Sequence, residues 1–587
     1  MRLDEILEEI GGFGRYQKWI FFLTCFPNLL AGFFMLNPVF LLGIPEHRCV
    51  IPGYDNDTYE VQSDEHSALI DKYIPMSSDE HLEYDRCKVY EYIAENGSFT
   101  FYWTYNFGEN STGKQTEEQG PRQEVKCNRW VYDKSVFHNT FASQVDLVCD
   151  KEIWVANAEM IFYGGMLVGS LVSGIIADRY GRKPVMYVAV LLMVASSFGL
   201  AWVHAYWLFC IVEFILGGSI VASFMPAYII SLEMTSANKR VWPGVISDFP
   251  YVLGLVLLAA IAYALRDWFQ IQLYTALPGV LFVFYWWLIP ESPRWLLSKG
   301  RVKEAEQILR KAARWNKATL PKKLFDESIE EDSDKDSSFL KLFSTKNLCL
   351  RSNLIFFNWL VVALVYFGLA LNSENLNGSL YLNFALSGLV EIPAYFLVIF
   401  LVDRVGRRRL YCFWMIVGGV SCLSTIFSIE YEPKGSDVIT VVLAMFGRLC
   451  VTGAYCVAYI HSAELFPTVV RNAGMGMASL FARLGTMIAP YIVTVSESLG
   501  GTLKEALPLL IFGGMALLSG LTSLLLPETL NKHLPETVQD GERFGRSGAF
   551  YFVRSLRHHQ DESDKNTKEQ YESEHELLLS TDKATYS

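Results

Sequence analysis

Twelve stretches of this 587-residue chain are long and apolar enough to cross a lipid bilayer, and that limits its fold more than any other feature. A hydrocarbon core of about 30 Å takes roughly 20 mostly apolar residues as a helix. Such stretches lie near 19–42, 154–177, 184–203, 206–230, 244–265 and 271–290, and then near 352–372, 380–402, 410–430, 438–461, 472–498 and 505–526. Lipid offers backbone groups no water to bond, so each stretch must be helical. The pattern predicts an all-α membrane protein of twelve transmembrane helices. Pro27, Pro38, Pro226, Pro250, Pro278, Pro393 and Pro490 fall inside the spans, as membrane helices that bend allow. The first span reads as a retained helix, not a signal peptide. It follows 18 residues carrying Asp4, Glu5, Glu8 and Glu9, it is too long for a leader, and no small-residue cleavage site follows it.

Charge places the loops. Residues 43–153 hold ten Lys/Arg against twenty-one Asp/Glu, with N-x-[ST] sequons at Asn56, Asn96 and Asn110. Four of the eleven cysteines, Cys49, Cys87, Cys127 and Cys149, cluster there. An even set in one polar segment predicts two disulfides in an oxidising space, with three pairings open. The loops 178–183 and 403–409 are basic, and 291–351 carries fourteen Lys/Arg against ten Asp/Glu. Positive-inside reasoning puts these, and both termini, in the cytoplasm. The domains then read as an N-terminal segment 1–18, a first half 19–290 containing the large loop, a linker 291–351, a second half 352–527 and a tail 528–587. The tail is polar and acidic, hence disordered, and its Glu574-His575-Glu576-Leu577-Leu578-Leu579 is similar to an acidic dileucine signal that a trafficking adaptor would bind. A net charge of −12 argues against a nucleic-acid partner.

The halves repeat. Asp178-Arg179-x-Gly181-Arg182 returns as Asp403-Arg404-x-Gly406-Arg407, 225 residues later. Glu233…Arg240 returns as Glu464…Arg471 after 231, and Pro290-Glu291-Ser292 as Pro527-Glu528-Thr529 after 237. Each copy follows an equivalent span (2 and 8, 4 and 10, 6 and 12). Two parallel six-helix halves around a central site form a transporter architecture. Gly174 and Gly181 are expected to permit close helix approach and a tight turn. Asp178, Arg179 and Arg182, with Glu233 and Glu464 as partners, are expected to form a network that holds the cytoplasmic side closed and breaks on opening. Topogenic charge explains the same residues without a gate.

These residues resemble the major facilitator superfamily, whose loop motif is matched by Gly174-x-x-x-Asp178-Arg179-x-Gly181-Arg182-Lys183. Within it the chain is similar to the organic cation/carnitine transporter family, solute carrier family 22. The features are Cys127…Trp130…Asp146-Leu147-Val148-Cys149-Asp150; Pro290-Glu291-Ser292-Pro293-Arg294-Trp295-Leu296; Asn372…Asn375-Leu376 with Gly388…Glu391-Ile392-Pro393-Ala394-Tyr395; and Ala463-Glu464-Leu465-Phe466-Pro467-Thr468-Val469-Val470-Arg471-Asn472. The resemblance covers about 1–530. Sugar porters share Pro-Glu-Ser-Pro-Arg but lack the long loop.

Ionisable residues within spans are expensive and usually functional. Here they are Glu213, Asp248, Glu391, Arg448 and Arg483. Glu391 and Arg448, on neighbouring helices, are expected to pair as a structural or gating bridge. The resemblance implies that Arg483 accepts a carboxylate, since relatives handling anions or zwitterions carry arginine there; a counter-ion role toward Glu391 or Glu213 is the alternative. Glu213 can face a quaternary ammonium or balance an arginine. Trp359, Tyr366 and Phe367 with Tyr228 are candidates for a cation–π cage. Asn37, Asn372 and Asn375 are polar candidates at the outer mouth.

The leading expectation is a multi-pass plasma-membrane transporter of small organic cations or carnitine-like zwitterions, working by alternating access, with lipid and a co-transported or exchanged ion as further partners. An organic anion exchanger and a non-transporting receptor are the alternatives. No HExxH, GxSxG or Walker motif occurs, and no metal-ligand cluster or cofactor fingerprint is legible, so an enzyme is not expected. If residues 43–153 face the outside, enzymatic deglycosylation will lower the apparent mass. Joint replacement of Asn56, Asn96 and Asn110 will abolish that shift; an unchanged mass from a glycosylating host contradicts this topology.

Overall fold

The computed structural model describes residues 3–544 apart from 55, 78–83, 93–121, 237–238, 240, 322–323, 326–338, 375, 377, 432–437, 498–500 and 536. Asn96, Asn110, Arg240, Asn375 and the dileucine-like run therefore lie outside the described residues. Among the described residues twelve helices are long and apolar enough to span a membrane. In the first half they are α1 (Arg15–Leu41), α2 (Cys149–Tyr180), α3 (Arg182–Leu200), α4 (Tyr206–Glu233), α5 (Asp248–Leu265) and α6 (Trp268–Leu288). In the second they are α7 (Lys346–Leu371), α8 (Leu380–Val405), α9 (Arg407–Ile429), α10 (Val438–Leu465), α11 (Thr468–Ser496) and α12 (Ala506–Ser523).

Proline sets the interruptions. The span read from 244 is split, with a short helix Val241–Ile246 before α5 begins at Asp248. Pro250 has no N–H to return to residue 246. In α8 the helix stops at Leu389 and restarts at Glu391, because Pro393 cannot donate to Leu389. In α6 the helix tightens to a 3₁₀ turn over Leu277–Phe284, with Pro278 in its first turn.

Close packing follows small residues, as it must where lipid supplies no hydrophobic drive between helices. A Cβ added at Gly165, Gly169 or Gly217 would strike the backbone of the facing helix in the α2–α4 pair. Gly174 differs from the sequence expectation: an added Cβ there meets nothing within 4 Å. On the side that carries the 43–153 domain the halves meet. Phe40 stacks on Tyr381 at 5.8 Å and packs edge-on to Phe384 at 4.8 Å. Tyr381 Oη donates to Val136 O at 2.7 Å, and Tyr491 Oη to Asn157 Oδ1 at 2.8 Å. On the linker side Asp178 and Asp403 are 76% and 74% exposed.

The linker and tail each dock on one half. Asn316, ending the linker helix Val302–Asn316, accepts from Tyr16 N–H and donates to Ile10 O and Gln17 Oε1. The tail, expected to be disordered, forms a helix over Val538–Arg543, and Glu542 accepts the N–H groups of Asn347 and Leu348 at the start of α7.

The 43–153 domain is pinned by two disulfides, Cys49–Cys127 and Cys87–Cys149, which resolves the pairing the sequence left open. It contains two antiparallel strand pairs, His47–Cys49 with Trp130–Tyr132 and Lys88–Tyr92 with Arg122–Lys126. Asn56 is exposed. Beside it Asp57 is buried. Arg48 Nη2 and Nη1 donate to its two carboxylate oxygens at 2.6 and 3.0 Å, and His66 Nε2 lies at 2.9 Å. Burial alone would raise the Asp57 pKa; Arg48, the Ile51 N–H and His66 outweigh it and hold the carboxyl below its usual range. Stability from this cluster is therefore complete above about pH 4 and lost as the pH falls through the lowered value. Asp57→Asn leaves Arg48 buried and unpaired, a loss of about 3–5 kcal/mol. Limited proteolysis at pH 7 should cut the loop domain of the variant well before wild type; equal protection refutes the role of the cluster.

Candidate substrate site and gate

Each half closes its own loop in the same way. Gly181 and Gly406 have φ of 111° and 100°, a region where a Cβ is strained. A Cβ at either would also strike a carboxylate, that of Glu291 or Glu528. Glu291 accepts the N–H groups of Arg182 and Lys183 at 3.1 and 3.2 Å, at the start of α3. Glu528 accepts those of Arg407, Arg408 and Arg409 at 2.8, 3.4 and 3.3 Å, at the start of α9. A carboxylate there satisfies orphan donors and complements the helix dipole. Burial dominates at Glu291 and raises its pKa. At Glu528 burial acts the same way, but the N–H donors outweigh it and lower the pKa.

Arg182 reaches Asp178 at 3.1 Å and Glu233 at 3.7 Å; Arg407 reaches Asp403 at 2.9 Å and Glu464 at 3.1 Å. The expected partners thus come together, but within each half. Among the described residues no ion pair joins the halves. Arg179 lies over Tyr180 at 5.4 Å, and neither it nor Arg404 has an ion-pair partner among those residues. Arg471 donates to Thr468 Oγ1 at 3.3 Å instead of meeting Glu464. Among the described residues the expected lock between halves is not formed.

Deep in the second half, Glu391 and Arg448 form an ion pair at 2.6 Å, both essentially without solvent. Glu391 is fully engaged: Tyr366 Oη donates at 2.8 Å and Tyr395 Oη at 2.9 Å. Arg448 also donates to Tyr366 O and lies 3.8 Å over the Tyr366 ring. That ring face is covered, so Tyr366 serves the ion pair and is not an open cage wall. Trp359 shares its side of α7, as the spacing predicts. Its Nε1 donates to Ser462 Oγ at 2.8 Å, and its ring meets Tyr459 at 4.4 Å and Tyr455 at 6.1 Å. Phe367 packs against Tyr163 of α2 at 5.6 Å.

Arg483 is different. It is 5% exposed, with no hydrogen bond or ion pair among the described residues and Nε unsatisfied. It lies within electrostatic reach of Tyr163, Tyr455 and Tyr459. Glu213, 3% exposed on α4, has one oxygen without a partner and neighbours Tyr163 and Cys210. Tyr228 lies near Asp248 and Cys456. Asn372 is buried with Oδ1 unpartnered, and Asn37 donates to Gln272 Oε1 at 2.6 Å. The residues missed from sequence are Tyr163, Tyr455, Tyr459 and the buried Glu159 of α2. Arg448, Tyr455, Tyr459 and Ser462 follow one another at 7, 4 and 3 residues, a single helical face. That spacing was available as a signal. His47 lies beside Cys87 and Cys149, but those sulfurs are spent in a disulfide.

The family model for "Sugar (and other) transporter" matches residues 92–540. An organic cation transporter protein of Drosophila melanogaster is 37% identical over 560 residues, covering 94% of this chain and 96% of that protein. Organic cation/carnitine transporter 2 of Homo sapiens is 32% identical over 542 residues, covering 91% and 93%. The inward-open xylose transporter XylE from E. coli superposes with a TM-score of 0.51 at 17% identity, over 70% of this chain and 93% of that one, a likeness of fold. The chain belongs to the major facilitator superfamily and, within it, to the organic cation/carnitine transporters of solute carrier family 22. It is a multi-pass membrane transporter, not an enzyme.

Glu391→Ala strands Arg448 and should cost about 3–5 kcal/mol, read as a lower melting temperature of the detergent-solubilised protein. Glu391→Ala/Arg448→Leu should recover much of that loss, since the second change removes the stranded charge. A single variant that melts with wild type contradicts the bridge.

Proposed function

We propose that this member of solute carrier family 22 carries small organic cations or zwitterions, with carnitine-like solutes favoured, across the plasma membrane by alternating access. The observation that carries this reading is Arg483, a buried guanidinium near Tyr163, Tyr455 and Tyr459 with no hydrogen-bond or ion-pair partner among the described residues. An unpaired buried charge is costly, and a planar guanidinium suits a bidentate carboxylate. The relatives named for organic cations and for carnitine support the cationic end. The Glu391–Arg448 bridge holds the second half rigid beside the site and does not itself bind solute.

In this reading the 43–153 domain faces the outside and the termini and linker face the cytoplasm. The halves then touch outside and part inside, an inward-facing state. The loop networks of Asp178, Arg179, Arg182 and Glu233, and of Asp403, Arg404, Arg407 and Glu464, stay intact within their halves. Arg179 and Arg404 are left free to cross to the other half when the inner side closes. An organic anion exchanger is the second reading, and the unpaired Arg483 favours it too. A receptor that used only its loop would need no unpaired charge at its centre.

Arg483→Ala separates these readings. A charge-assisted hydrogen bond is worth about 1.5–3 kcal/mol, or roughly one to two orders of magnitude in affinity. Carnitine uptake should fall by that factor at equal surface expression. Tetraethylammonium uptake should survive or rise, since a like charge has left its path. Unchanged carnitine affinity refutes carboxylate recognition. Uptake by wild type of an aromatic anion alone supports the exchanger.

A further inference from the structure

Arg483 is not the sole charge left without a partner near the centre. Asp248, the first residue of α5, is half-buried, and its carboxylate makes no hydrogen bond or ion pair among the described residues. It lies within electrostatic reach of Tyr228 on α4, Tyr395 on α8, and Tyr455, Cys456 and Tyr459 on α10. Tyr455 and Tyr459 also feel Arg483. The two tyrosines therefore lie near both an acid of the first half and a base of the second. These opposite charges do not meet, since every described ion pair involves other residues.

We propose that Asp248 binds the ammonium of the transported solute while Arg483 binds its carboxylate, so that one zwitterion bridges the two halves. This rests on the reading of the chain as a transporter of organic cations or zwitterions. Two unpaired opposite charges held apart on opposite halves form a slot with a fixed dipole. A solute with the opposite dipole relieves both desolvation costs at once. The other acids serve less well. Glu391 is consumed by Arg448, Tyr366 and Tyr395. Glu213 is almost sealed from solvent, at 3% exposure, whereas Asp248 retains access. Tyr228 and Tyr459 lie near Asp248 and are the aromatic groups that a methylated ammonium, which has no N–H to donate, would meet there.

The proposal also sets a substrate class: an ammonium and a carboxylate joined by a short saturated chain, matched in length to the gap. A plain cation engages one pole and one half only. The simpler account of Asp248 is that an acid in a first helical turn complements the helix dipole. That account predicts an effect on stability but none on substrate choice.

The test is uptake into proteoliposomes by the full chain of trimethylammonium carboxylates with one to five methylenes, beside tetraethylammonium and benzoate. Wild type should show an optimum chain length. Asp248→Asn should raise the KM for tetraethylammonium and for the best zwitterion by about ten- to a hundredfold, flatten the length optimum and leave benzoate unchanged. Asp248→Glu should restore binding with the optimum moved to a shorter chain. Arg483→Gln should raise the KM for zwitterions and benzoate but not for tetraethylammonium. A folded Asp248→Asn with wild-type KM for both cation and zwitterion overturns the proposal while leaving the transporter reading in place. Wild type that moves neither the cation nor any zwitterion overturns that reading, and this proposal with it.

Discussion

A charge placed in hydrocarbon must find an opposite charge, a dense set of hydrogen bonds or a ligand, because its lost hydration is worth several kcal/mol. The centre of this protein is organised by that requirement. Glu391 and Arg448 meet it within the protein, with two tyrosine hydroxyls completing the carboxylate and a tyrosine ring covering the guanidinium. Because it is satisfied, that pair is a fixed point against which α7, α8 and α10 pack. Among the described residues Arg483 and Asp248 have no hydrogen-bond or ion-pair partner of this kind. The contrast between satisfied and unsatisfied charges sets Glu391 and Arg448 apart from Arg483 and Asp248, residues the sequence alone ranks alike.

The same requirement acts differently at the ends of the helices, where water is near. There it is the backbone that needs partners. Glu291 and Glu528 reach back from the ends of α6 and α12 to cap α3 and α9, so each half is tied across its own loop. Left-handed glycines at 181 and 406 make room for those carboxylates. Linker and tail reinforce this pattern, Asn316 binding the first half and Glu542 the second. Each half is thus tied together on the linker side by its own residues.

Span positions, the two-fold repeat and the charged residues at the centre were legible because bilayer thickness and charge cost write themselves into composition. The disulfide pairing was not, since four cysteines on a folded loop carry no spacing rule. The breaks before Asp248 and Glu391 were implicit in Pro250 and Pro393, yet proline inside a span does not always break it: Pro27, Pro226 and Pro490 sit in continuous helix. The cage was partly misread. Trp359 and Tyr366 do share a face, but which rings lie open depends on where Arg448 places its guanidinium, a tertiary fact. Tyr455 and Tyr459 went unseen because aromatics on a helix are ordinarily packing, and only their shared side with Arg448 marks them.

Placing opposite charges on opposite halves has a mechanical consequence. Interactions in a dry site steepen with distance far more than in water, since the effective dielectric is lower. Under the proposed two-pole binding, a solute gripping both halves would be held best at one separation of α5 and α11, which rocking of either half would change. Binding energy can then favour the intermediate in which both sides are closed, which is where a carrier must place it for transport and not mere occupancy. The contacts in this state agree with such a division. The halves touch through aromatic packing and neutral hydrogen bonds, Phe40 on Tyr381 and Tyr491 on Asn157, which separate at modest cost. The strong charge pairs lie inside each half and need not break as the halves move.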